Sequence, residues 1–280
     1  GKDRLSFAIL PSIRFFDGRG ANQPWLCEVP DPVSKVAWQS PLMLNPRTAR
    51  KHGIRQDEIA RVKSGSNTLT APVYETEIIR PGVVALQAGQ GHSAYGRYAR
   101  GRGANPFSLL MLQVDDPGDP GFYRAGAVEI ESTGQKQKLA HTDGSMDQHE
   151  RKIAMAVTPD ELEKPPAHEK PGLAMHDFPL TLPLPEGYDA RRDFYPPHDH
   201  NAYRWAMVVD LDRCIGCSAC MAACYAENNL GVVGEQQMIN GREMSWIHIE
   251  RYRQIDAPQD LIFLPMLCQH CDNAPCEMVC

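Results

Sequence analysis

Two cysteine runs near the end of the chain constrain its fold more than any other feature. They contain eight of the nine cysteines in the sequence. The first run has the spacing C-x2-C-x2-C-x3-C, and the second has the spacing C-x2-C-x4-C-x3-C. The runs consist of Cys214, Cys217, Cys220, Cys224, Cys268, Cys271, Cys276 and Cys280. Cysteines this dense and this regular indicate a metal centre around which this part of the chain must fold.

The first run has the spacing of bacterial-type ferredoxin clusters. Cys214, Cys217 and Cys220 recur every three residues, so a coil around a cluster points all three thiolates inward. Gly216 relieves crowding in that coil. The fourth cysteine of this spacing ligates the other cluster of a pair, so we expect Cys224 to serve a second cluster.

The second run follows the same logic with a longer middle gap. Cys268, Cys271 and Cys276 are its three local ligands, and Cys280 is the fourth, directed to another cluster. By count, the two runs could complete each other, but their unequal spacing argues that each has a different partner run. We therefore predict that all eight cysteines bind the iron of [4Fe–4S] clusters.

Zinc and disulfides are the alternatives for these cysteines. A zinc ribbon uses two C-x2-C pairs for four ligands, whereas this chain has eight cysteines in two runs of four. Cysteines separated by two residues pair poorly as disulfides, because their geometry is wrong for the bond. Iron–sulfur clusters are therefore the favoured interpretation.

Composition and length limit which classes of protein this chain can belong to. The chain has 280 residues and a net charge of −6, which gives no support to nucleic-acid binding. No stretch approaches 18 uninterrupted apolar residues, so we predict no membrane-spanning segment. The chain starts without an initiator Met or the apolar core of a signal peptide and stops on a ligand-type cysteine. We therefore expect a piece of a longer polypeptide.

The sequence of residues 1–158 predicts short strands with tight turns and one small helix. This pattern is typical of a β-barrel domain. Residues 24–45 are predicted to be extended and edge-like, because prolines punctuate them. Cys27 lies alone in this stretch and is predicted to be a small buried apolar residue. The Gly- and Arg-rich loop at 89–106 allows two interpretations: a cradle for an anion or a plain connection between strands.

Residues 159–202 contain nine prolines and are predicted to be a linker, in which His198 and His200 are too few to make a metal site. Residues 203–280 then follow the order strand, cysteine loop, helix, strand, strand, cysteine loop. That order is typical of a ferredoxin-like domain, here incomplete. The predicted fold class is thus α+β, with a β-barrel domain followed by a ferredoxin-like iron–sulfur domain.

Both halves resemble parts of one family. Residues 213–229 and 267–280 look like the four-cluster iron–sulfur subunits of the molybdopterin oxidoreductase family. Residues 41–49, 83–92 and 95–106 resemble the C-terminal β-barrel domain of the large catalytic subunit, which closes over molybdopterin guanine dinucleotide in that family. The cysteine motifs are specific, and the barrel motifs are moderately so.

The fusion of both parts on one chain resembles the B subunits of alternative complex III, a quinol-oxidising bacterial respiratory complex. The resemblance implies an electron-transfer subunit with no catalytic residue and no molybdenum cofactor. It also implies an integral-membrane quinol-binding subunit and a multihaem cytochrome c subunit as partners, at the outer (periplasmic) face of the cytoplasmic membrane.

The same resemblance implies how the clusters are completed. That family has four cysteine runs, the first sharing clusters with the fourth and the second with the third. Two runs would therefore follow Cys280. The family pattern implies [4Fe–4S] clusters and leaves room for one [3Fe–4S] cluster.

Two other functions remain open from the sequence. One is a molybdenum or tungsten enzyme of the polysulfide or tetrathionate reductase type with a fused electron-input module. The loop at 89–102 would then bind molybdopterin guanine dinucleotide. The other is a structural scaffold with vestigial domains.

Overall fold

The structure is a computed structural model, and it describes most of the chain outside the predicted linker. The described residues are 4–113, 122–124, 126–142, 144–151, 153–154, 209–254, 260–268 and 276. The predicted linker at 159–202 and most of the strand predicted at 203–210 lie outside them. Cys271 and Cys280 lie outside them as well.

The N-terminal half is mostly β. Its strands are β1 (Leu5–Leu10), β2 (Val36–Ala37), β3 (Leu42–Leu44), β4 (Glu58–Ser64), β5 (Asn67–Glu75), β6 (Val83–Gln87), β7 (Met111–Gln113), β8 (Phe122–Arg124), β9 (Ala127–Lys136) and β10 (Ala140–His141). Its helices are short: α1 (Pro24–Glu28), α2 (Pro46–Lys51), α3 (Gly96–Ala99) and a 3-10 turn at Pro106–Leu109. Prolines begin three of these four helical segments, at the position where a missing backbone N–H costs least.

Six strands form a closed barrel in the order β1-β6-β3-β5-β4-β9. Closure follows from β1, which pairs parallel with β6 and antiparallel with β9. The barrel encloses an apolar core in which Leu42 on β3 stands opposite Leu86 on β6, both fully buried. Alternation of buried and exposed residues along β4 matches the sequence pattern that predicted a half-buried strand there.

The prediction of an extended edge at 24–45 is wrong in two places. Residues Pro24–Glu28 are helical, and β3 lies between β5 and β6 rather than at an edge. Prolines do not prevent this, because Pro24 begins its helix and Pro41 precedes β3 without needing a ladder hydrogen bond. Cys27, on α1, is fully buried as predicted, and its thiol donates to the carbonyl of Ala21 at 3.6 Å.

The C-terminal half has a ferredoxin-type order of elements. Helix α4 (Ala219–Glu227) follows the first cysteine loop, and helix α5 (Glu235–Ile239) comes next. Strands β11 (Ile247–Arg253) and β12 (Leu261–Leu267) then form an antiparallel hairpin. A mostly β N-terminal half followed by a cysteine loop, helices and a two-stranded hairpin is consistent with the predicted order of elements. In the described part of the chain, no helix is long and apolar enough to cross a membrane.

The two halves pack directly on each other. An apolar cluster joins Val29 of the N-terminal half to Met221, Tyr225, Leu230 and Ile249 of the C-terminal half. Polar contacts flank this cluster. They are the bonds from Trp25 Nε1 to the Leu230 carbonyl (2.8 Å), from Lys35 Nζ to the Ile249 carbonyl (2.7 Å) and from Arg251 Nε to the Val33 carbonyl (2.7 Å). These contacts fix α4 and β11 against the segment that precedes the barrel strand β3.

Candidate functional site

The first cysteine loop has a backbone conformation that few residues can adopt. Gly216 has φ +65° and Ser218 has φ +60°, so the chain turns sharply between Cys214 and the start of α4. A Cβ on Gly216 would lie 2.5 Å from a ring carbon of Phe263 on β12. The loop therefore lies against β12, the strand that leads to the second cysteine run.

The Cys220 thiol is affected by the other two local thiols of this run, although within the described residues the three do not converge on one metal position. Burial raises the pKa of the Cys220 thiol, and the neighbouring thiols of Cys217 and Cys214 raise it further. The backbone N–H groups of Met221 and of Cys220 itself act in the opposite direction, because each donates to the sulfur. Backbone N–H groups aimed at sulfur are among the devices that tune iron–sulfur clusters.

Cys224 has a different environment one helical turn later. It is partly buried and packs against the apolar cluster between the two halves, which also contacts Trp25 and Phe263. The side chain of Asn228 donates to the Cys224 carbonyl at 3.1 Å and lies 3.5 Å from its sulfur. This cysteine is the one that the sequence assigns to a second cluster.

The second run is only partly described. Cys268 follows β12, is exposed, and its backbone N–H donates to the Trp246 carbonyl at 3.1 Å. Cys276 is also exposed. Within the described ranges, no three Cys, His, Asp or Glu side chains converge where a single metal ion would bind. The assignment of all eight cysteines as ligands therefore stays a prediction.

The donor chemistry of the first run fits an iron–sulfur cluster. It offers thiols on a loop with two left-handed residues, Gly216 and Ser218, and backbone N–H groups act on the Cys220 sulfur. Clusters of this type are held by cysteine thiolates, and hydrogen bonds to the sulfurs adjust their reduction potential.

A second candidate site lies on the Gly- and Arg-rich loop. A cavity of about 470 Å³ is lined by Arg97, Arg100 and Arg102 of this loop, and by Ser40 beside β3. Ser40 is fully buried, and its hydroxyl has no hydrogen-bond partner within the structure. The lining is therefore cationic and polar, as an anion would require.

The glycines of this loop pack the loop on itself. A Cβ on Gly91 would lie 2.3 Å from the backbone nitrogen of Asn105, and a Cβ on Gly103 would lie 2.3 Å from Oε1 of Gln90. Both glycines have positive φ. Close internal packing thus accounts for two of the five glycines.

Arg102 already has an anionic partner from the other half of the chain. Its guanidinium pairs with the Glu235 carboxylate at the start of α5 and stacks over the Trp38 ring, 4.7 Å from its centroid. Glu235 Oε1 also accepts from Gln39 Nε2 at 2.7 Å. A carboxylate beside Arg102 competes with a phosphate for the donors of that guanidinium, while Arg97 and Arg100 also line the cavity.

Sequence reasoning missed Glu235 and its neighbour Glu28. Glu28 is fully buried, and burial raises the pKa of its carboxyl group. It accepts from the backbone N–H of Gly234 at 2.8 Å and from Trp38 Nε1 at 3.1 Å. No local pattern links residues 206 positions apart, so only the tertiary structure could find this contact.

We expect Gly216→Ala to lower both stability and cluster content. A positive φ costs a residue with a Cβ about 1–2 kcal/mol, and the added methyl would also displace the Phe263 ring. Visible absorbance per protein and the thermal unfolding midpoint would measure the effect. Gly231→Ala is the matched control, because nothing lies within 4 Å of its Cβ position. Equal behaviour of the two variants would contradict the prediction.

The buried thiol of Cys27 predicts a pH dependence of stability. Burial raises its pKa from 9.0 to about 11. The folded state then holds the proton more tightly than the unfolded chain. The contribution of the protonated Cys27 thiol to the free energy of unfolding is therefore complete below pH 9. It is lost as pH rises towards 11, by up to roughly 2–3 kcal/mol.

Denaturant unfolding at pH 8 and at pH 10.5 tests this prediction. Cys27→Ala should lose less stability between these two pH values than the unsubstituted protein. All other thiols are common to both proteins and cancel in the comparison. Identical losses would show that Cys27 is not responsible.

Comparison with known families defines the class of each half. Residues 30–114 match the family model of the molydopterin dinucleotide binding domain, and residues 213–280 match that of the 4Fe-4S dicluster domain. The chain thus joins a domain of the molybdopterin dinucleotide-binding type to an iron–sulfur domain. Neither match covers half of the chain.

Similar proteins are subunits of redox enzymes. A tetrathionate reductase subunit of Salmonella typhimurium is 34% identical over 103 residues, which cover 35% of this chain and 36% of that protein. The menaquinone reductase iron–sulfur cluster-binding subunit of Nitratidesulfovibrio vulgaris is 37% identical, over 28% of this chain and 31% of that protein. The chain spans about a third of the length of these relatives.

One further relative is a molybdopterin-containing subunit rather than an iron–sulfur subunit. The arsenate respiratory reductase molybdopterin-containing subunit of Shewanella sp. is 39% identical over 123 residues, covering 41% of this chain and 14% of that protein. Among solved structures, acetylene hydratase from Pelobacter acetylenicus has a TM-score of 0.35 and 14% identity, over 46% of this chain and 18% of that chain. That structural likeness is too weak to indicate a shared fold.

Proposed function

We propose that this chain is an electron-transfer subunit whose eight motif cysteines hold iron–sulfur clusters. The observation that carries the proposal is the cysteine loop from Cys214 to Cys220, which turns through two left-handed residues against β12. The dicluster match over 213–280 supports it. Such clusters, when bound, accept and donate single electrons.

The residues of this chain hold and insulate the clusters rather than break bonds. Cys214, Cys217 and Cys220 are the local ligands of the first cluster, and Cys224 serves a second one. Cys268, Cys271 and Cys276 are the local ligands of the second run, and Cys280 serves another cluster. The apolar contacts around Cys224 exclude water on one side, and burial of this kind adjusts reduction potential.

The physiological setting belongs to the same proposal. Quinol oxidised by an integral-membrane partner supplies the electrons, and a multihaem cytochrome c partner receives them at the periplasmic face of the membrane. The similarity to a menaquinone reductase subunit supports a quinone-linked partner, while quinol as the donor and the cytochrome as the acceptor rest on the resemblance of the fused domains to alternative complex III. Purification of the native assembly, followed by haem spectra and a quinol oxidation assay, tests it. An assembly without haem would contradict the cytochrome partner.

Anaerobic spectroscopy tests the clusters themselves. We expect a broad absorbance near 400 nm, iron and acid-labile sulfide in equal amounts, and an EPR signal on reduction. Protein with zinc in place of iron, or without a reducible signal, would contradict the proposal. Two further cysteine runs after Cys280 in the gene would support clusters shared between runs.

A second candidate function follows from the match at 30–114 and from the molybdopterin-containing relative. In this alternative the chain is part of a molybdopterin-dependent oxidoreductase of the polysulfide or tetrathionate reductase type. Metal analysis separates the two functions. Stoichiometric molybdenum or tungsten in the purified protein would favour the enzyme, and iron alone favours the electron-transfer subunit.

A further inference from the structure

The arginine pocket of the N-terminal domain is occupied by an acidic side chain of the same protein. Arg102 and Glu235 are 133 positions apart, yet both are mostly buried and form an ion pair at the pocket wall. A surface pair would be worth little, but this one is held on both sides by other groups.

The Arg102 side is held by an aromatic ring. Its guanidinium stacks on Trp38, which is itself almost fully buried and bonded to Glu28. The ring holds Arg102 in place and leaves its N–H donors directed at the carboxylate.

The Glu235 side is held by an amide. Gln39 donates to Glu235 and accepts from the backbone N–H of Ala140 at 3.0 Å, while its backbone carbonyl accepts from Arg14 at 3.0 Å. Gln39 therefore cannot turn away without breaking several contacts. Two fixed donors thus converge on one carboxylate, as they would on an oxygen of a phosphate ligand.

The rest of helix α5 is fixed as well. Met238 is buried in the apolar cluster that contains Trp38, and Lys138 Nζ lies 3.3 Å from the Ile239 carbonyl that accepts its hydrogen bond. The backbone N–H of Gly234, the residue before the helix, donates to Glu28. The helix thus places Glu235 in the pocket and has several other contacts that hold it there.

We propose that Glu235 is an internal anionic ligand of this pocket, which makes the molybdopterin-type domain a docking site for the iron–sulfur module. Glu235 takes the position in which the domain would otherwise hold the oxygen of an anionic ligand. The consequence is a domain that positions the iron–sulfur module and in which the donors of Arg102 and Gln39 are already engaged. This inference depends on Arg102, Gln39 and Glu235, and it stands whether or not the eight cysteines bind iron.

Removal of the carboxylate should open the pocket to a small polyanion. Isothermal titration of the purified protein with inorganic pyrophosphate measures this. We expect Glu235→Gln to bind pyrophosphate at least about tenfold more tightly than the unsubstituted protein, because a competing charge is gone and Arg102 is released. Glu227→Gln, an exposed acid on α4, is the matched control and should bind as weakly as the unsubstituted protein.

Two further variants make the result decisive. Arg102→Ala combined with Glu235→Gln should lose the gain, since the released guanidinium is what binds the anion. Glu235→Asp keeps the charge but shortens the side chain, so it should show an intermediate affinity, and it also serves if Glu235→Gln does not fold. Equal pyrophosphate affinity in all variants, or a gain that persists without Arg102, would overturn the proposal. Iron content, measured alongside, reports on the clusters separately.

Discussion

Cys220→Ala should remove the cluster of the first run and leave the helix that carries it intact. Cys220 lies in the first turn of α4, where alanine is the most favourable residue, so the substitution does not weaken the helix itself. Loss of groups that only support a ligand already costs about 10–100-fold in metal affinity. We therefore expect loss of a ligand to lower cluster occupancy by at least about tenfold.

The ninth cysteine supplies the control for this experiment. Cys27→Ala removes a thiol from the buried face of α1, where Cys27 belongs to the apolar cluster of Trp38 and Met238 and to neither cysteine run. It should leave iron, sulfide and the visible spectrum unchanged. Iron content per protein and the EPR amplitude after reduction are the measurements. A Cys220→Ala protein with the same iron content as Cys27→Ala would remove Cys220 from the ligand set.

Trp38→Ala should be among the most destabilising single substitutions in the N-terminal half. The Trp38 ring is 1% exposed and packs with the cluster that holds Met238 of helix α5. Truncation of a buried aromatic residue to alanine costs about 3–5 kcal/mol, a large part of a typical domain's total stability of about 5–15 kcal/mol. It also removes one of the contacts of the Glu28 carboxylate and one of those of the Arg102 guanidinium.

Two comparisons separate the causes of that loss. Trp38→Phe keeps most of the ring volume but loses the hydrogen bond to Glu28, so we expect a cost of about 1–3 kcal/mol. Trp246→Ala is the matched control, because Trp246 is half exposed and its substitution should cost less than about 1 kcal/mol. Denaturant unfolding followed by far-ultraviolet circular dichroism measures all three. A loss for Trp38→Ala no greater than that of Trp246→Ala would contradict the prediction.

Several elements could be predicted from local sequence because local physics determines them. Alternation of apolar and polar residues places β4, and a proline-led segment that ends before glycine places α2. The motif spacing in the first cysteine run predicts a tight loop, and the structure adds its left-handed turn at Gly216 and Ser218. The burial of Cys27 likewise follows from its isolation from any other cysteine.

Other features could not be predicted, because they depend on which distant segments meet. The stretch that contains β3 looks like an edge from its prolines, yet it lies inside the closed sheet because β5 and β6 pair with it on either side. For the Gly- and Arg-rich loop, the sequence left an anion cradle and a plain connection equally open. The structure differs from both interpretations, because the anionic group bound by Arg102 is the carboxylate of Glu235 from the same chain.

The two cysteine runs, and the prediction that they hold iron–sulfur clusters, come from the sequence alone, because ligand spacing is a local property of the chain. The relation between the two halves was decided only by the tertiary structure. Lys35 meets the Ile249 carbonyl across 214 positions, and Arg102 meets Glu235 across 133. Such pairs leave no periodic signal in the sequence. A buried polar group needs only one hydrogen-bonding partner, and the fold can supply that partner from any position in the chain.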